Sequence, residues 1–259
     1  MLFSLKAIAI TAAIPFLTSD LPVGDAKTEG TTCNCTSLST KENIVVDGQT
    51  GQPFSGACLN EYRVEWISAL KKKKMNNEMQ AVVNGRKSIN YYNNGILERT
   101  EEQFSSGHKS AEYHFATGEK GAVVYHGAAR QWHENGSNKY AGTFENGLPV
   151  GEHVWYDSRG SRVELRKVTA VNTTNVTVDI EQTQWYDYQS KKSITRFTAI
   201  WDGKTAVTDK KNVSFFSFYP SGKKKEVTIY DSMSSGYTKH EFYDEKGNLI
   251  QGGDKLQMK

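Results

Sequence analysis

Apolar and polar residues alternate along this chain in short runs, and the runs end in glycine. From Gly151 onward, His153, Trp155 and Asp157 fall to one side while Val154 and Tyr156 fall to the other, the two-residue period of a half-buried strand. Ser137 to Phe144 reads the same way. Tyr91-Tyr92-Asn93-Asn94-Gly95, Phe115-Ala116-Thr117-Gly118, Trp132-His133-Glu134-Asn135-Gly136, Trp155 to Gly160, Phe218 to Gly222 and Phe242 to Gly247 share one rule: an aromatic residue, two to four polar residues, then glycine. Glycines recur at intervals of 23 (95 to 118), 24 (136 to 160) and 25 (222 to 247), with further turns at Ser106-Gly107 and Asn146-Gly147. Asn-Gly supplies the positive φ angles that two-residue hairpin turns require, so this spacing predicts a meander. The expected fold class is all-β, an antiparallel meander of repeated hairpins forming one extended, twisted sheet in which each unit leans on its neighbours.

Four segments follow. Residues 1–26 read as a signal peptide: Lys6 supplies a positive charge, Ala7 to Leu17 is a short apolar run, and Gly24-Asp25-Ala26 places small residues at a cleavage site. The run is too short for a membrane span, which needs roughly 20 apolar residues. Residues 27–80 carry the cysteines, 81–160 the clearest repeats, and 161–259 further strands with degenerate repeats. Tyr62, Trp66 and Leu70 share a face that fits a short helix near 61–75, with Lys71 to Lys74 at its end, while Val64, Trp66 and Ser68 equally fit a strand. Ser161 to Trp201 has strand composition, rich in Val and Thr, without the repeat.

Composition narrows the class. Only 37% of residues are hydrophobic yet 11% are aromatic, which excludes a multi-span membrane protein and disfavours disorder. A net charge of +3 is too small an excess to make nucleic acid the default partner. The leader implies an oxidising compartment, where Cys58 is expected to close a loop onto Cys33 or Cys35, with Cys35 and Cys58 the pair chosen; their 23-residue separation is worth roughly 3 kcal/mol in the chain-entropy model.

Catalytic signatures are missing. There is no Gly-x-Ser-x-Gly elbow; His133-Glu134 meets Ser137 where the second His of HExxH belongs; Asp202-Gly203-Lys204-Thr205 lacks the upstream glycine of a phosphate loop. No catalytic, cofactor or metal residue is nominated. His108, His114, His126, His133 and His153 read as polar positions on a solvated face, with a shared metal as the competing reading. The basic runs Lys71 to Lys74 and Lys223 to Lys225 read as solvated edges, against contact with anionic lipid. Trp185-Tyr186-Asp187-Tyr188 reads as core, against a sugar-stacking platform. Asn-x-Ser/Thr sequons stand at Asn34, Asn135, Asn172, Asn175 and Asn212.

Gly127 to Gly160 resembles the bacterial variant of the membrane occupation and recognition nexus (MORN) repeat. Trp132, Asn135, Gly136, Asn146, Gly147, Gly151, Trp155 and Gly160 match its aromatic, Asn-Gly and glycine positions, and Tyr92 with Gly95 opens a second copy, the match being best over 91–160. The resemblance implies an open-faced β-sheet that binds or scaffolds and carries no chemistry of its own. The expected function is therefore an exported, non-enzymatic module for a protein or polymer of the cell envelope or exterior, periplasmic, outer-membrane-associated or secreted. Peripheral membrane contact and nucleic acid are not expected. The alternatives are a hydrolase of surface polymers using carboxylates such as Glu134 and Asp157, or an antitoxin-like partner of a toxin.

Overall fold

The computed structural model describes residues 33–61, 86–187, 189–201, 207–232 and 236–254. The signal peptide, the 61–75 helix expectation beyond Glu61, and Lys71 to Lys74 lie outside the described residues. The strands are Cys33–Asn34 (β1), Leu38–Lys41 (β2), Ile44–Asp47 (β3), Gly56–Glu61 (β4), Lys87–Asn93 (β5), Ile96–Gln103 (β6), Lys109–Thr117 (β7), Val123–Trp132 (β8) and Asn138–Glu145 (β9). They continue with Leu148–Tyr156 (β10), Arg162–Asn172 (β11), Thr177–Trp185 (β12), Lys191–Trp201 (β13), Val207–Phe218 (β14), Lys224–Ser232 (β15), Lys239–Tyr243 (β16) and Leu249–Asp254 (β17). Fifteen of them form one sheet in the order β1-β4-β5 and then consecutively to β17, antiparallel throughout except for the parallel β1–β4 pair. The β2–β3 hairpin is a separate small sheet. Among the described residues there is no α-helix, and β17 does not close onto β4 to make a barrel. The meander expected from the glycine punctuation is thus the fold. It runs unbroken from β10 into β11, past the point where the repeat pattern fades.

The turns differ between the two margins. On one margin lie Asn94-Gly95 and Asn146-Gly147, with φ of 48 and 78° and of 49 and 85°; both residues of each pair are left-handed, as a two-residue hairpin turn demands. On the other margin lie five-residue turns over 104–108, 133–137, 157–161, 219–223 and 244–248. Each is closed twice: the first residue's N–H donates to the fifth residue's carbonyl, and the glycine N–H donates to the first residue's carbonyl, as in His133 to Ser137 (2.8 Å) and Gly136 to His133 (2.9 Å). The expectation for Asn135-Gly136 is corrected here. Only Gly136 is left-handed (φ 83°), because Asn135 spends its side chain instead, accepting from Ser137 N–H at 3.1 Å and donating to the Ser158 carbonyl at 2.7 Å.

One face carries the core: Ala129, Tyr140, Phe144, Val178, Ile180, Phe197, Ala199, Trp201 and Val213 are all buried. Three strand spacings separate β10 from β13, about 14 Å in a flat sheet. Yet Trp201 Nε1 on β13 donates to the Gly147 carbonyl in the β9–β10 turn at 2.8 Å, and its ring lies 5.9 Å from Phe144. The sheet therefore coils onto its own face, which is how a single layer obtains a dry interior. At the N-terminal end, Cys35 is bonded to Cys58, and the β5–β6 turn is held by the β2–β3 hairpin through Val45 N–H to Gly95 O (2.9 Å) and by the segment that follows it through Gly95 N–H to Phe54 O (2.7 Å).

Candidate functional site

The coiled face is polar where it is not core, and register explains the pattern. Tyr140, Trp155, Glu164, Gln184, Ser193, Ser217 and Glu226 oppose one another in a single row across β9 to β15. Glu164 anchors its middle, accepting from Arg166 Nε at 2.8 Å and from Gln184 Nε2 at 2.8 Å, and Ser193 Oγ donates onward to Gln184 at 3.2 Å. At the far end Glu226 accepts from Thr228 Oγ1 at 3.0 Å and meets His240 Nε2 at 3.2 Å.

The deepest polar pair adjoins this row. Between the registers Val150 opposite Thr143 and Val154 opposite Ala141, the three residues Gly151 to His153 face the single residue Gly142. That bulge, turned at Gly151 (φ 69°), drives His153 inward, where it is 4% exposed. Its Nδ1 is hydrogen-bonded to the Tyr140 hydroxyl at 2.7 Å, and Nε2 makes no hydrogen bond of good geometry. Burial lowers the imidazole to about 4, assisted by Arg166 and opposed by the backbone of Thr143 and Val150. Burial likewise pushes the Tyr140 phenol well above its ordinary value. A Cβ on Gly142 would overlap the Tyr140 oxygen and the imidazole. Such a pair is neutral through the physiological range and braces the bulge. The sequence reading of His153 as a solvated position is corrected accordingly, and Gly142 was not singled out. Among the described residues no group of three His, Cys, Asp or Glu side chains is placed to hold a metal ion.

The repeat-defining residues are structural pins. Tyr92 packs edge-on against Phe54 at 6.0 Å; Gly147 donates to the Tyr125 carbonyl at 2.8 Å; Trp155 lies 4.9 Å from Tyr140 under the Arg166 guanidinium; Gly160 closes its turn at φ 84°. Along the five-residue margin the turns also bond to one another. His133 Nε2 lies 2.9 Å from the Tyr156 carbonyl, Ser137 Oγ donates to Ser158 O at 3.0 Å, Tyr186 hydroxyl to Phe218 O at 3.2 Å, and Tyr219 hydroxyl to Tyr243 O at 2.8 Å. Arg162 lies over Trp185 at 4.2 Å, whereas Tyr186, with Lys192 5.9 Å from its ring, is 46% exposed, so the expectation that this cluster is core is corrected at Tyr186. Glu134 and Asp157 both stand in these exposed turns. Asp157 gives Oδ1 to the amides of Arg159 and Ser161 and Oδ2 to the Arg159 guanidinium, and these bonds hold its carboxyl below the ordinary range. At the opposite margin a cleft of about 660 Å³ is lined by Thr117, Glu119, Val124, Leu148, Val176 and Trp201; Val176 sits there at φ 52°, a strained angle for a β-branched residue.

No protein-family model matches this sequence, and no curated protein does. Among solved structures, an alignment with TcdB2-TccC3 lacking its hypervariable C-terminal region covers 66% of this chain and 10% of that one, at 10% identity and a TM-score of 0.16, a likeness that carries no argument.

Proposed function

We propose that this chain is an exported, non-enzymatic repeat protein of the variant MORN kind that binds or scaffolds a cell-envelope or extracellular partner. The observation that carries the reading is the single continuous sheet, whose motif residues go into turns, bulges and packing and leave broad margins and faces toward solvent. The Cys35–Cys58 disulfide supports an oxidising, exported setting. Among the described residues no helix is long and apolar enough to cross a membrane. A binding role also suits the carboxylates once considered for hydrolysis, since Asp157 is engaged by its own turn. The test is retention of a partner from envelope extract by the exported protein at several salt concentrations. Loss of every partner would count against the reading, and hydrolysis of an envelope polymer abolished by Glu134→Gln would replace it.

A further inference from the structure

Each strand entering the five-residue margin from β8 onward ends on an aromatic residue: Trp132, Tyr156, Trp185, Phe218 and Tyr243. The strands leaving that margin up to β15 begin with cations: Lys109 on β7, Lys139 second on β9, Arg162 on β11, Lys191 and Lys192 on β13, Lys224 and Lys225 on β15. Cation and ring meet across the neighbouring strand, with Lys109 5.7 Å over Trp132, Arg162 4.2 Å over Trp185 and Lys224 5.1 Å over Tyr243. Such contacts are expected about once per 70 to 80 residues, and here they recur at the same place in every second hairpin, β7–β8, β11–β12 and β15–β16. The rings hold long side chains at the margin while the charges stay in water.

From β11 to β15 these cations make no salt bridge among the described residues, although Lys224 lies close enough to Glu241 to lower its carboxyl. Arg162, Lys191, Lys192, Lys223, Lys224 and Lys225 are exposed, and among the described residues none forms an ion pair with a carboxylate. The aspartates of the intervening turns are turned to local amides: Asp187 accepts from Gln189 and Ser190 N–H, and Asp244 from Asn248. Leaving strands are two strand spacings apart, so positive groups recur about every 10 Å along a line.

We propose that this margin, from Arg162 to Lys225, is the docking track for a linear polyuronate, whose carboxylates on alternate sugars meet successive cations. The regular line of cations matches a linear polyanion of that charge spacing. Arg162 lies over Trp185 and Lys224 over Tyr243, so these rings offer less face for stacked bases, which favours a sugar carboxylate over a nucleic acid. The track rests on the proposed binding role and gives it a ligand class.

Binding of the full chain to polygalacturonate, neutral dextran, oligo-dT and phosphatidylglycerol vesicles is measured at low and physiological salt. Polygalacturonate is expected to bind with strong salt dependence and to be weakened at least about tenfold by Lys191→Glu combined with Lys224→Glu, with Lys41→Glu on the remote β2 hairpin leaving affinity unchanged. No polygalacturonate binding, equal binding of dextran, tighter binding of oligo-dT or vesicles, or equal loss in Lys41→Glu would each overturn the track. Circular dichroism of the variants confirms that the sheet is intact. If the double variant still retains its envelope partner, the binding role stands and the track falls; if neither protein retains one, the binding role itself fails.

Discussion

Acidification should destabilise this protein through one buried imidazole. His153 is held at about 4 in the folded chain, against 6.5 when exposed. A group whose folded value is depressed in this direction binds its proton more readily in the unfolded chain. Unfolding therefore takes up a proton between these values, and stability rises with pH across the window. The full difference is worth about 3 kcal/mol, present above pH 6.5 and wholly lost below pH 4; at pH 5 about 2 kcal/mol has gone. That is a large part of the 5–15 kcal/mol typical of a domain. Urea denaturation at half-unit steps from pH 7.5 to 4.5 gives the slope, with His153→Gln as reference. The other five of the six histidines are common to both proteins and cancel in the difference. A wild-type curve parallel to that of His153→Gln, or an NMR titration placing His153 near 6.5, would refute the desolvated Tyr140–His153 pair.

Gly142→Ala should cost about 1–3 kcal/mol by forcing Tyr140 and His153 apart, read as a lower melting temperature together with a His153 titration shifted upward. Val176→Asn should stabilise by about 1 kcal/mol, because asparagine tolerates the left-handed angle that valine occupies under strain; a lower denaturation midpoint would contradict this. Cys35→Ser should cost about 3 kcal/mol by releasing the 23-residue loop, and peptide mapping of the oxidised parent should recover Cys35 joined to Cys58.

Much of the architecture was legible in the sequence because turn chemistry is local: Asn94-Gly95 and Asn146-Gly147 adopt the backbone their residues favour without outside help. Even 161–201, which lacks the repeat, announced β11 to β13 through its Val and Thr content. The turn at Asn135 was misjudged because Asn-Gly alone does not distinguish a two-residue turn from the five-residue turn that this margin repeats, in which only the glycine is left-handed. His153 was misplaced for a similar reason: Gly151 signals a bulge, but which side chain the bulge turns inward depends on the partner strand. Gly142 has no positive φ and no turn beside it, so nothing in its neighbourhood shows the space it keeps. Trp201 looked like any other strand aromatic, and only the coil of the sheet sends it to Gly147.

The two margins impose a parity on how such a chain can lengthen. A single added strand would exchange left and right for everything downstream, sending tight turns to the wide side and reversing the row of charges. An added pair of strands preserves both. The glycine intervals of 23, 24 and 25 each join turns on the same margin, so the hairpin, not the strand, is the quantum of growth.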